Sequence, residues 1–108
     1  MKLLSRAEEI VLTAILLLKG TAYGVSIREH IFEVTGKKWS FALIYDPLNK
    51  LTKKGFITKS ESEPTPERGG RRKVYYEITD PGKTALMEIK TMHEGVWEKI
   101  TNSILETK

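Results

Sequence analysis

The sequence predicts a mainly α fold with a small β-hairpin, an α+β arrangement in which a winged helix-turn-helix is followed by a long C-terminal helix. Three observations predict it. Apolar residues recur at helical spacing in three segments of the first half, the period becomes extended between residues 56 and 78, and one helical pattern then runs to the end of the 108 residues. Three helices and a hairpin in this order read as a helix-turn-helix core with a recognition helix and a wing.

The first helix is announced by Ser5 and, three residues on, Glu8, a capping box ahead of the apolar run from Ile10 to Leu18. That run is broken only by Thr13 and is expected to be the central buried helix. It is too short to cross a bilayer, which needs about 20 residues. Lys19 and Gly20 supply a basic end and a left-handed stop. A second helix carries an apolar stripe of Ile27, Ile31 and Val34, leaves Arg28, Glu29 and Glu33 outside, and ends at Gly36.

Ser40 is placed to cap the third helix. Around that helix Phe41, Ile44, Leu48, Leu51 and Gly55 share one arc, the expected core face, and Ala42, Asp46, Asn49, Lys50 and Lys53 share the opposite one. Pro47 lacks an amide donor and crowds the carbonyl of Leu43, which predicts either a bend or a helix that starts later than Ser40. Phe56 to Ser62 and Lys73 to Ile78 are the expected strands, with Val74, Tyr76 and Ile78 alternating against Lys73, Tyr75 and Glu77. Their connection contains Pro64, Pro66, Gly69 and Gly70 and is too long for a tight turn. Thr79 or Asp80 caps the last helix, with Pro81 at its first position. A helix of about 27 residues is near 40 Å long, more than a small core can cover. Its stripe of Leu86, Ile89, Met92, Val96, Trp97, Ile100 and Ile104 is therefore expected to meet a second copy of the chain.

Composition bounds the function. Forty per cent hydrophobic and 30% charged residues are ordinary for one globular domain. No cysteine is present, which removes disulfides, thiolate zinc sites and thiol nucleophiles and fits a reducing compartment. The opening MKLLSRAEE has no secretory pattern, so a cytoplasmic protein without a membrane segment is expected. Charge is concentrated: between Lys50 and Lys73 eight basic residues stand against three acidic ones, a net of +5 where the whole chain has +4. This pattern points to a local polyanion site. Each candidate has a rival reading. Arg68, Arg71, Arg72 and Lys73 touch phosphates or simply keep a hairpin edge solvated. Tyr45 lies between the two arcs, so a packed ring with its hydroxyl near a phosphate competes with a core hydroxyl. Ala42 and Asn49 are small or polar enough to approach bases, as solvated helix residues also are. Trp39 reads as packing at the turn.

Several of these residues also carry a family likeness. Tyr23-Gly24 with Ile27, Ser40 to Tyr45 followed by Leu48, Leu51, Gly55 and Ile57, the tract Glu67-Arg68-Gly69-Gly70-Arg71-Arg72-Lys73, Tyr75-Tyr76, and Thr79 with Gly82 together resemble the PadR family of transcriptional regulators, in its short type with a single C-terminal dimerisation helix. The likeness covers nearly the whole sequence. It implies a homodimeric winged helix that binds double-stranded DNA and represses from inverted-repeat operators, with residues 1–80 as the DNA-binding domain and 81–108 as the dimerisation helix. Implied DNA contacts are Ser40, Ala42, Leu43, Tyr45, Asn49, Lys50 and Lys53 on the third helix and Arg68, Arg71, Arg72 and Lys73 on the wing. Leu43 departs from the small polar residue common there, and Pro47 stands one place later than the usual proline. Some short members bind planar aromatic effectors at the dimer interface through a tryptophan, and here Trp97 lies about one turn further along.

Catalysis finds no support. His30 and His93 lack partners at metal-ligand spacing, no phosphate-cradling glycine motif occurs, and no cofactor is expected. Besides a sequence-specific repressor, two readings remain: a winged helix that docks proteins without sequence-specific DNA binding, and a metal- or substrate-binding domain. The local positive charge favours the first.

Overall fold

The computed structural model describes residues 4–61 and 73–106. Its elements follow the order α1 (Arg6–Leu18), α2 (Gly24–Thr35), α3 (Phe41–Lys54), β1 (Ile57–Glu61), β2 (Val74–Ile78) and α4 (Asp80–Glu106). The capping box at the start of α1 is complete: the Ser5 hydroxyl accepts from the Glu8 amide at 3.1 Å, and the Glu8 carboxylate accepts from the Ser5 amide at 2.9 Å. Val11, Leu12, Ala14 and Ile15 of α1 are buried, and α1 packs against α2, α3, β2 and α4. It is the shared centre of the core. Leu17 is exposed, so the apolar run is not covered all round. Lys19 itself takes the left-handed conformation expected of this stop, at φ 42°, with Gly20 beside it.

The stripe of α2 is shorter than expected. Ile27 and Ile31 are buried, but Val34 is exposed, because the core ends where α2 stops after Thr35. In α3 the Ser40 hydroxyl accepts from the Leu43 amide at 3.3 Å, and Ile44, Pro47, Leu48 and Leu51 are buried. Two expectations change here. The helix begins at Phe41 and runs through Pro47, so it does not start late. Phe41 is exposed rather than core, because its ring packs on surface groups instead: it lies 4.8 Å from the Arg28 guanidinium of α2 and stacks on Tyr45 with centroids 6.2 Å apart.

The strands pair antiparallel from Ile57 opposite Ile78 to Glu61 opposite Val74. Both are shorter than the expected spans: Phe56 and Lys73 lie outside them, and Ser62 lies outside the described residues. Tyr76 extends the sheet sideways by donating its amide to the Ala22 carbonyl at 2.8 Å.

The junction into α4 is dense. The Thr79 hydroxyl donates to the Gly55 carbonyl at 2.7 Å and accepts from the Gly82 amide at 3.1 Å, making Thr79 the cap. Gly82 is buried, and a Cβ there would collide with the Phe56 carbonyl and stand 2.8 Å from the Ile78 side chain. Only glycine lets the helix pass so close. Ala85 and Ile89 complete the core, and beyond Ile89 no described residue of α4 is buried. Among the described residues, no helix is long and apolar enough to cross a membrane.

One ion pair is built into this core. Glu8 is buried, and its carboxylate lies 2.6 Å from the Lys54 ammonium at the end of α3. Burial by itself raises the Glu8 pKa, but the bonds from Lys54 and Ser5 outweigh it and hold the carboxyl below its ordinary value. A carboxylate with a depressed folded pKa contributes stability that is fully present above its unfolded pKa, about 4.3, and is lost as the pH falls through the folded value. Lys54→Met, which strands Glu8, is expected to cost about 3 kcal/mol near neutral pH. Urea unfolding of both proteins checks this, and a difference that failed to shrink on acidification would remove the ion-pair explanation.

Candidate nucleic-acid interface

The exposed face of α3 gathers the side chains singled out from the sequence. Ser40, Ala42, Leu43, Tyr45, Asn49, Lys50 and Lys53 are all exposed, while Ile44, Pro47, Leu48 and Leu51 hold the opposite side in the core. Arg28 fixes how α3 is presented: its Nε donates to the Trp39 carbonyl at 2.7 Å, just before the Ser40 cap. Trp39 is half-buried against the core, as packing at the turn requires.

The three lysines at the end of α3 have different surroundings. Lys54 is turned inward onto Glu8. Lys50 pairs with Asp46 at 3.1 Å on the surface, a solvated i,i+4 contact that a stronger anion can displace at little cost. Lys53 projects from the exposed side. Charge counting therefore overstates what this helix offers to a ligand by one lysine. On the hairpin, Lys73 is exposed and its ammonium lies 4.6 Å from the centre of the Tyr23 ring, which meets Tyr75 edge-on. Arg68, Arg71 and Arg72 lie outside the described residues.

Sequence reasoning singled out Tyr45 but did not foresee its approach to the start of α2. The Tyr45 hydroxyl lies against Gly24, where an added Cβ would come within 2.7 Å of it. Tyr76 is buried, and burial together with the neighbouring Tyr45 phenol raises its pKa. Tyr23-Gly24, Tyr45 and Tyr75-Tyr76 each stood out in the sequence, but nothing there joins Gly24 to Tyr45, 21 positions away.

On α4, Leu86 packs against the core and Ile89 is buried within the chain, whereas Met92, Val96, Trp97, Ile100 and Ile104 are exposed. Two clefts flank Trp97. One, of about 600 Å³, is lined by Thr13, Leu86, Met87, Lys90 and Trp97; the other, of about 460 Å³, by Leu4, Arg6, Met92 and Trp97. Both are also lined by Glu9 and His93, which approach each other at 3.4 Å.

The model of the PadR-like family of transcriptional regulators matches residues 12–88, from α1 into the first turns of α4. This chain belongs to that family. PadR-family members are transcriptional regulators rather than enzymes, and solved structures carry the likeness over most of the chain. A PadR family transcription regulator from Clostridium difficile R20291 is 25% identical with a TM-score of 0.68, over 94% of this chain and 99% of that one. Bacillus subtilis PadR in complex with operator DNA is 30% identical with a TM-score of 0.62, over 77% of this chain but 45% of that one. A PadR family regulator from Eggerthella lenta, at 20% identity and a TM-score of 0.73 over 92% of this chain and 83% of that one, shares the fold. No curated protein sequence matches the chain closely. The four helices and antiparallel hairpin are thus the PadR winged helix with a long C-terminal helix.

Proposed function

We propose that this PadR-family regulator is a cytoplasmic, sequence-specific DNA-binding repressor that acts as a homodimer on an inverted-repeat operator. The observation that carries the reading is the exposed face of α3, with its small, polar and basic side chains held clear of the core, beside a hairpin whose connecting tract carries Arg68, Arg71 and Arg72 next to Lys73. Residues 1–80 form the DNA-binding unit in this reading and residues 81–108 the dimerisation helix. Ser40, Ala42, Leu43 and Asn49 face the major groove, Tyr45, Lys50 and Lys53 its walls, and Arg68, Arg71, Arg72 and Lys73 the flanking backbone. A gel shift on the promoter of its own gene tests the proposal, and absence of any shifted species at low salt would reject it.

The charge distribution makes binding steeply salt-dependent. For roughly six to ten neutralised phosphates per dimer, log K is expected to fall against log salt with a slope of about −5 to −9. Arg71 and Arg72 changed together to Ala should weaken all sequences alike, and Asn49→Ala should alter the preference among them. Titrations at several salt concentrations on cognate and scrambled duplexes separate the two effects.

The exposed apolar side of α4 is the proposed dimer surface, with Met92, Val96, Trp97, Ile100 and Ile104 at its centre and Leu86 and Ile89 at its inner edge, where they join the core. Truncation after Lys90 removes that centre. A monomeric or insoluble product with little operator affinity is expected, since two half-sites about one helical turn apart need two linked recognition helices. Sedimentation showing an unchanged dimer would place the interface elsewhere.

The clefts beside Trp97 suit a planar aromatic effector stacked at the dimer interface. Such a molecule releases DNA only as far as it binds the non-operator arrangement more tightly than the operator-bound one. Planar dyes are expected to quench the fluorescence of the wild type more than that of Trp97→Phe. Equal fractional quenching in both would leave Trp97 as packing alone.

A further inference from the structure

Three features meet at the start of α2. First, the amides of Gly24 and Val25 open the helix and have no hydrogen-bond partner among the described residues. The Ser26 hydroxyl is turned back onto the chain, accepting from the Tyr23 amide at 2.9 Å. Second, the Tyr45 phenol reaches across from α3 and lies on Gly24, whose missing side chain makes room for it. Third, Tyr76 arrives from β2, bonded through its amide to Ala22, two residues before the helix. Tyr76 is 7% exposed, yet its hydroxyl has no hydrogen-bond partner among the described residues. Every fully buried side-chain oxygen among them does have one, so this hydroxyl reaches the surface, and the Tyr45 phenol is near enough to add to the effect of burial in raising its pKa. A phenol with a buried ring and a surface tip holds its hydroxyl fixed and free to donate to a group outside the chain.

We propose that the amides of Gly24 and Val25 with the hydroxyls of Tyr45 and Tyr76 form a site for one phosphate of the DNA backbone. All four groups donate, no carboxylate is among them, and helix N-termini favour anions. Tyr45 joins this site to the exposed face of α3, one turn before Asn49, so the phosphate bound is one flanking the groove that α3 enters. The Lys73 ammonium over Tyr23 adds positive charge next to it. The inference rests on the DNA-binding reading above and names groups that carry no formal charge. These neutral donors set the depth and register of α3 rather than the salt dependence of binding.

A mixed-sequence duplex tests it, because the DNA backbone is the same in any sequence. Tyr76→Phe keeps the packed ring and removes only the hydroxyl; binding is expected to weaken about tenfold or more, as for a hydrogen bond to a charged group. The slope of log K against log salt should stay at the wild-type value, since a phenol releases no counterion, whereas Lys53→Ala makes it shallower by about 1 for each phosphate that Lys53 neutralises. Gly24→Ala supplies an independent readout. Its φ is not left-handed, so alanine fits the backbone, but the new Cβ displaces the Tyr45 phenol. The unfolding temperature should hold or rise while affinity falls. Variants that bind like the wild type, or a weakening by Tyr76→Phe accompanied by a reduced salt slope, overturn the phosphate site alone. A wild type that leaves the duplex unbound overturns the DNA-binding proposal itself.

Discussion

The hydroxyl of Thr79 ties the structure together. By donating to the Gly55 carbonyl and accepting from the Gly82 amide, it joins the last residue of the α3 cap to the first turn of α4 through a single side chain. The Thr79 amide adds a bond to the Phe56 carbonyl at 3.0 Å, over which Gly82 also passes. The exposed face of α3 and the apolar length of α4 are therefore rigidly referenced to each other across one junction. In the proposed dimer such a joint converts a change of angle at α4 into a displacement of α3. The loss of freedom on ordering a threonine side chain is small beside the two bonds it makes.

Charge and hydrogen bonding are divided between surfaces. Lys53 and Lys54 are adjacent, yet one projects into solvent and the other is half of an internal pair with Glu8 that anchors α3 to α1. Neighbouring residues on a helix point about 100° apart, so a basic run at a helix end is split by geometry between surface and core. The neutral donors around Gly24 form a third group with a different dependence on conditions. Screening by salt acts on the first, acid on the second, and neither on the third.

Most of the fold was legible because it is written in local chemistry. The Ser5–Glu8 box, the Ser40 cap, the glycine stops and the change of period at the hairpin each involve residues within a few positions of one another. What escaped was decided at long range. Phe41 belongs to the apolar arc of α3 by angle, but its ring is taken up by Arg28 of α2 and by Tyr45 at the surface. Val34 keeps the spacing of its stripe but falls in the last turn of α2, where it is exposed. Lys54 is indistinguishable from a ligand-facing lysine without its partner, 46 positions earlier. At the candidate site, the exposure of Ala42, Asn49, Lys50 and Lys53 could be read from periodicity, whereas the approach of Tyr45 to Gly24 and of Tyr76 to Ala22 could not, because it joins separate elements.

Pro47 leaves its own mark on α3. It is buried, so its ring packs usefully, but it has no amide hydrogen, and the carbonyl of Leu43 loses its helical partner. The turn that carries Ser40, Ala42 and Leu43 is thus held to the rest of the helix by one bond fewer than any later turn, and its outer side is bare. Local opening free energies follow such differences. The front of α3 is its softest part, and amide exchange there should outpace that of the Leu48–Lys54 half by a margin that closes whenever a bound surface supplies the missing tie.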